Sequence, residues 1–260
     1  MSIYGARATD FLPSGGLVMV VGNYGSGKTE VAVNMALRMS ERGAGVSIAD
    51  LDIVNPYFRC REARDLMEAH GIRVVIPPGA QVSGDLPIIL PEIKGMLRPA
   101  EGRASIFDVG GDPVGARVLS SFREHLDGAP YELWQVINSR RPFTGDVAGC
   151  LRMRAEIEES SRLKVTGLIA NSHLVGETTT EVILEGHRLA REVSEAGKVP
   201  VVFVTAMAEL ADSPELDAID APVFRIERRM LPPWLRACDE REDPTMPAAR
   251  PVPLGRAREF

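Results

Sequence analysis

Residues 17–29 read LVMVVGNYGSGKT, and this stretch decides the fold. Leu17 to Val21 is an apolar, β-branched run that stops at a glycine, the pattern of a short buried strand. Gly22, four further residues and then Gly27-Lys28-Thr29 make the G-x-x-x-x-G-K-T phosphate-loop pattern. From Glu30 to Arg42 charged and apolar residues alternate at helical spacing. Gly22, Gly25 and Gly27 permit torsions that other residues avoid, so successive N–H groups can turn inward around phosphate oxygens. The helix that follows adds the partial positive charge of its N-terminus. On this reading the binding segment runs through Gly22, Asn23, Tyr24, Gly25, Ser26, Gly27, Lys28, Thr29 and Glu30. Lys28 reaches the β- and γ-phosphates, and the Thr29 hydroxyl holds Mg²⁺. The bland alternative is a glycine-rich turn, but the strand before it and the helix after it favour a nucleotide site.

Outward from this loop, strand and helix signals alternate. Strands are expected at 45–49, 73–76, 104–109, 131–137, 164–170, 199–205 and 222–226, and helices at 57–70, 87–97, 113–126, 144–160 and 178–196. Asn55-Pro56 reads as a turn and Ala80 to Asp85 as a surface loop. Thr144 is the expected N-cap of the fourth of these helices, and Gly71 the C-cap of the first. Repeated β–α units of this size imply a three-layer α/β/α domain, with a mainly parallel sheet covered on both faces. The domain is expected to span residues 1–229. Residues 230–260 carry six prolines between Pro232 and Pro253 and form either a packed arm or a loose tail.

In open parallel sheets, ligands sit beyond the carboxyl ends of the strands. That rule selects Asp50 and Asp52, Asp108 to Gly111, and Asn171. Mg²⁺ needs hard oxygen ligands, so Asp108 is the expected metal partner, with Asp52 positioning water or metal and Asp50 a weaker second. Gly111 lets a backbone N–H meet the γ-phosphate. The Asn171 amide can both donate to and accept from adenine, the rival reading being a strand-end cap. A guanine site would want N-K-x-D, whereas the chain reads Asn171-Ser-His-Leu174, so ATP is expected over GTP. His173 and His187 read as surface or packing residues; Arg140-Arg141, after the strand that starts at Tyr131, can touch phosphate or a partner, with a solvated pair the favoured reading.

Composition narrows the remaining classes. The chain is 45% apolar and 25% charged, ordinary for a globular protein that buries a core. A net charge of −6 makes nucleic acid a poor default partner. No apolar run reaches the length of a membrane span, and no signal-peptide core precedes the first strand, so a cytoplasmic location is expected. Cys60, Cys150 and Cys238 are too far apart in sequence for a zinc or iron–sulfur pattern within one chain.

The set GNYGSGKT, DLD after the second strand, DVGG after a later one and Asn171 resembles the SIMIBI P-loop NTPases, specifically the MinD/ParA branch. The resemblance covers roughly residues 15–226. It implies binding of ATP and ADP with Mg²⁺, slow hydrolysis, and a nucleotide state that governs homodimerisation or an unidentified protein partner. By that likeness Lys28 and Thr29 take the P-loop roles, Asp52 the switch I role, Asp108 and Gly111 the switch II role, and Asn171 the adenine contact. That branch carries an additional lysine early in the loop, where this chain has Asn23. An amide cannot supply that lysine's charge. Two alternatives therefore stand beside a slow ATPase. One is a non-hydrolysing switch or assembly factor. The other is a small-molecule kinase or ligase whose lid is built from residues 77–91.

Overall fold

The computed structural model describes residues 11–52, 63–76, 91–110, 113–126 and 128–230. Its elements are β1 (Gly16–Val21), α1 (Lys28–Glu41), β2 (Gly45–Leu51), α2 (Arg64–Ala69), β3 (Arg73–Val75), α3 (Pro91–Met96), β4 (Arg103–Val109), α4 (Pro113–Ser120) and α5 (Arg123–Leu126). There follow β5 (Glu132–Ile137), α6 (Val147–Ser161), β6 (Gly167–Ala170), α7 (Thr180–Gly197), β7 (Val201–Met207) and β8 (Val223–Ile226). All strand pairs are parallel, in the order β3-β2-β4-β1-β5-β6-β7-β8. The parallel α/β architecture expected from the alternating pattern is therefore present.

Side chains of successive strand residues point to opposite faces, and β1 uses both. Val18 and Val20 pack into one buried cluster with Val31, Met35 and Met39 of α1. Leu17, Met19 and Val21 pack into a second with Val118, Leu119, Cys150 and Ile157 of α4 and α6. A strand buried on both faces has no room for polar alternation, which is why β1 reads as a continuous apolar run. A third cluster joins β7 to α7 through Val204, Ala206, Ile183 and Ala190.

Several boundaries differ from the expected ones, for local reasons. The helix expected over 113–126 is two pieces. The Ser120 hydroxyl donates to the Arg117 carbonyl, and the Ser121 hydroxyl to the Val118 carbonyl, offering the chain an exit from the helix. Thr144 is not the cap of α6. It is buried in a 3₁₀ turn with its hydroxyl donating to Asn138, and Asp146 caps the helix by accepting the Gly149 N–H at 2.6 Å. Only Gly167–Ala170 of the strand expected over 164–170 is β6, the Thr166 side chain being engaged with Glu132 of the neighbouring strand. Asn55-Pro56, the loop at 80–85, Gly111, Cys60, Cys238, and nearly all of the residue 77–91 lid and the residue 230–260 tail lie outside the described residues.

Candidate nucleotide site

β1 delivers the chain to the carboxyl edge of the sheet in its middle, with β4 on one side and β5 on the other. There the loop turns back into α1. Gly25 and Gly27 have φ of +73° and +84°, a region that side-chain-bearing residues rarely enter. Asn23 accepts the Ser26 N–H through its carbonyl at 3.0 Å and the Tyr24 N–H through its side chain at 2.7 Å. Its amide is thus spent on shaping the loop. Beyond it the pattern changes. The amides of Gly25, Gly27, Lys28 and Thr29 find no acceptor among the described residues, and Gly27 gives α1 no side-chain cap. Helix α6 has its Asp146; α1 offers bare donors and a helix dipole.

The carboxylates lie on the neighbouring strands. Register places Asp50 of β2 opposite Asp108 of β4, with Val20 of β1 on the other side of Asp108. The Asp52 N–H turns back onto the Asp50 side chain at 3.2 Å. Lys28 Nζ meets Asp52 Oδ2 at 3.0 Å, with both side chains nearly fully buried. Asp108 is completely buried, and among the described residues its oxygens complete no hydrogen bond of full geometry, the Thr29 hydroxyl lying close by. Burial pushes its carboxyl up to about 7, helped by the charges of Asp50 and Asp52, while Lys28 and the Thr29 hydroxyl pull the other way.

A cavity of about 720 Å³ opens beside the loop, running from Gly25, Lys28 and Thr29 across to Asn171, His173 and Arg228. Asp52 and Asp108 are not part of its wall and act on it through Lys28 and Thr29. Asn171 stands at the end of β6, but its amide is held by the protein itself. Nδ2 donates to the Ser26 carbonyl at 2.6 Å, and Oδ1 accepts from the Thr205 hydroxyl at the end of β7. A Cβ on Gly27 would collide with that Nδ2, so the loop and Asn171 fit only through the glycine. Leu174, in the place a guanine-reading carboxylate would take, is 43% exposed.

Glu30 faces away from the phosphate loop's amides. Its carboxylate accepts the N–H groups of Arg229 at 2.7 Å and Met230 at 3.0 Å. Asn34, one turn on, exchanges two bonds with the Glu227 backbone. The first turns of α1 therefore pin the segment that follows β8, and Arg228 lies on the cavity wall. Burial raises the Glu30 carboxyl, against those two N–H bonds.

Two residues at this edge, Asn138 and Thr205, escaped the sequence reading, and Arg141 and His173 were read there chiefly as surface groups. The strand-end rule was the signal that could have found Asn138, Arg141 and Thr205, since β5 and β7 end there as β2 and β4 end at their aspartates. The solvated pair expected at Arg140-Arg141 is not one. Arg140 pairs with Glu185 of α7, and Arg141 donates to the Gly25 carbonyl at 2.9 Å. His187, expected to be a surface or packing residue, is buried and meets Asp220 at 3.0 Å.

Parallel strands flanked by helices on both faces, with a glycine loop between β1 and α1, define the P-loop NTPase fold. No family model and no curated protein matches the sequence. Solved structures do. The cell division protein FtsY of Thermotoga maritima aligns at a TM-score of 0.51 and 18% identity, covering 78% of this chain and 66% of that one. Chloroplast FtsY of Physcomitrella patens aligns at 0.50 and 20% identity, covering 76% and 62%. A signal recognition particle 54 kDa protein from Aeropyrum pernix, solved with GDP, aligns at 0.49 and 19% identity, covering 74% and 41%. The chain spans less than two thirds of the length of each of these structures. At these identities the likeness is one of fold. Among the described residues, no helix is long and apolar enough to cross a membrane.

Proposed function

We propose that this chain binds a nucleoside triphosphate with Mg²⁺, ATP in preference to GTP, and hydrolyses it slowly to govern a protein partner or a second copy of itself. The observation that carries the reading is the set of amides of Gly25, Gly27, Lys28 and Thr29, which have no acceptor among the described residues, at the uncapped start of α1 and beside a cavity large enough for a nucleotide. Hard oxygen donors accompany it. The buried oxygens of Asp108 and the Thr29 hydroxyl fit Mg²⁺, which takes one or two protein oxygens and keeps the rest for water and phosphate. When bound, Mg²⁺ would be held by Thr29 and Asp108 and would neutralise phosphate charge.

The chain's own groups do the rest. Lys28 is anchored by Asp52 and exchanges that partner for phosphate oxygens. Asp52, released, orients the attacking water. The absence of a carboxylate at Leu174 supports adenine over guanine, because guanine's ring N–H and amine would lose their acceptor. Tyr24, Phe143, Leu174 and Val175 are the exposed large apolar residues among those described, and Tyr24 and Val175 sit on the cavity rim. A partner that covers this rim would read the nucleotide state.

Calorimetry with ATP, ADP and GTP, with and without Mg²⁺, tests the reading. Lys28→Ala should remove most ATP affinity, and Lys28→Ala/Asp52→Asn keeps the fold from carrying a stranded buried charge. Unchanged binding in both variants would end the assignment. A second reading, a switch without turnover, is favoured by Asn23, whose side chain is committed to Tyr24 and brings no cation. Brisk single-turnover hydrolysis by the purified protein excludes it.

A further inference from the structure

Two adjacent arginines follow β5, and the structure treats them differently. Arg140 is neutralised by Glu185 at the protein surface. Arg141 turns inward and lays its guanidinium against the phosphate loop, Nε donating to the Gly25 carbonyl at 2.9 Å. The fit is close. A Cβ on Gly25 would lie 2.9 Å from Arg141 Nε and 3.0 Å from its Cζ, so a side chain there would push the guanidinium from its seat. Asn138, on the same loop, reaches both the Gly25 carbonyl and the His173 carbonyl, at 3.5 and 3.4 Å, and ties the three strand-end loops together.

That single bond uses one of the five donors of a guanidinium. The other four find no acceptor, and no carboxylate pairs with Arg141, among the described residues. The group lines the same cavity as Lys28 and Thr29. Of the acids around the loop, Asp52 is committed to Lys28 and Glu30 to the backbone of Arg229 and Met230, while Glu209 lines the cavity wall. At His173 the field is positive. His173, between Arg141 and Arg228, is pushed down to about 4 by burial and by those two charges. Its Nδ1 accepts the Val175 N–H, which leaves a proton on Nε2, a buried donor with no partner among the described residues. A rigidly seated cation with spare, parallel donors at the rim of a phosphate loop is suited to phosphate oxygens.

We propose that Arg141 is a phosphate-binding residue, held by the Gly25 carbonyl so that its free N–H groups donate to the phosphate chain of the nucleotide. It supplies from inside the chain positive charge that Asn23 does not bring. The proposal rests on the nucleotide reading above. It also gives the loop after β5 a direct part in sensing whether the site is filled.

The test compares wild type, Arg141→Lys, Arg141→Gln and Asn138→Ala for ATP and ADP binding at about 50 and about 300 mM salt, with thermal unfolding of each nucleotide-free protein. A charged contact predicts that Arg141→Gln weakens both nucleotides about 10- to 100-fold, and that Arg141→Lys keeps part of the affinity. It also predicts a shallower salt dependence for Arg141→Gln than for wild type, since one cation fewer meets the anion. If Arg141 only braces the loop, Arg141→Gln should match Asn138→Ala in affinity and keep the wild-type salt slope, and the proposal is overturned. Should Arg141→Gln not fold, Arg141→Lys decides: wild-type affinity with a wild-type slope, for a side chain that cannot hold the Gly25 bond and reach phosphate together, also overturns it. The Lys28→Ala/Asp52→Asn protein separates the two readings. If it and wild type bind ATP equally, the nucleotide site fails and this inference with it; if it is inactive while Arg141→Gln binds as wild type, only the role of Arg141 fails.

Discussion

Asn171→Ala should destabilise the protein in the absence of any nucleotide. The side chain is 3% exposed and bridges two elements, its Nδ2 on the Ser26 carbonyl at 2.6 Å and its Oδ1 on the Thr205 hydroxyl. Each bond contributes about 0.5–1.5 kcal/mol net, so losing both costs about 1–3 kcal/mol, the Thr205 hydroxyl keeping the Ala170 carbonyl at 3.4 Å. Thr205→Val removes the hydroxyl's bonds to Asn171 Oδ1 and to the Ala170 carbonyl, costing about 1–2 kcal/mol. Because the two side chains share that bond, the double variant should cost less than the sum, with a coupling on the order of 1 kcal/mol. Urea unfolding of the nucleotide-free proteins measures all three. If Asn171→Ala unfolds within about 0.5 kcal/mol of wild type yet loses ATP affinity, the residue is a base contact and not a latch on the loop.

Gly27→Ala should cost more than Gly43→Ala. Both glycines have φ near +85°, +84° and +86°, but a Cβ at Gly43 meets nothing within 4 Å whereas one at Gly27 runs into Asn171. Torsion alone costs about 1–2 kcal/mol, so equal melting temperatures would refute the collision. His173 gives a pH signature. Its folded value of about 4 lies below the ordinary 6.5, so the unfolded chain binds the proton first, and the stability it contributes is lost as pH falls from 6.5 through about 4. The difference in unfolding free energy between wild type and His173→Gln should therefore shrink by on the order of 2 kcal/mol across that window, and a pH-independent difference would refute it. The subtraction also removes Asp108, whose carboxyl is shifted up and acts with opposite sign. Burial pushes the Cys150 thiol up to about 12. With Cys60 and Cys238 replaced by serine, a disulfide reagent at neutral pH should label the protein only on unfolding, and rapid labelling of the native protein would contradict the burial.

Much of this molecule was legible in its sequence because the signals were local. β1 is an apolar run because parallel strands are buried twice over, and the glycines of residues 22–27 are where only glycine can turn. Asp50, Asp52 and Asp108 were found because strand ends in parallel sheets converge on one edge, and the register does bring Asp50 and Asp108 together. The boundaries that went wrong, at Ser120, Thr144 and Lys164, are places where a side chain bonds its own backbone or a neighbouring strand.

What only the tertiary structure decided is which partner each polar group takes. Asn171 has two chemically sound uses, a base or the protein's own loop, and nothing within its strand points to the second; the meeting with Ser26 and Thr205, 145 and 34 residues away, does. Arg140 and Arg141 are identical in type and adjacent in sequence, yet one finds Glu185 and the other Gly25. Periodicity and motif specify backbone conformation, which depends on near neighbours. The partner of a charge or an amide depends on what the fold carries alongside it, and that information is spread over the whole chain.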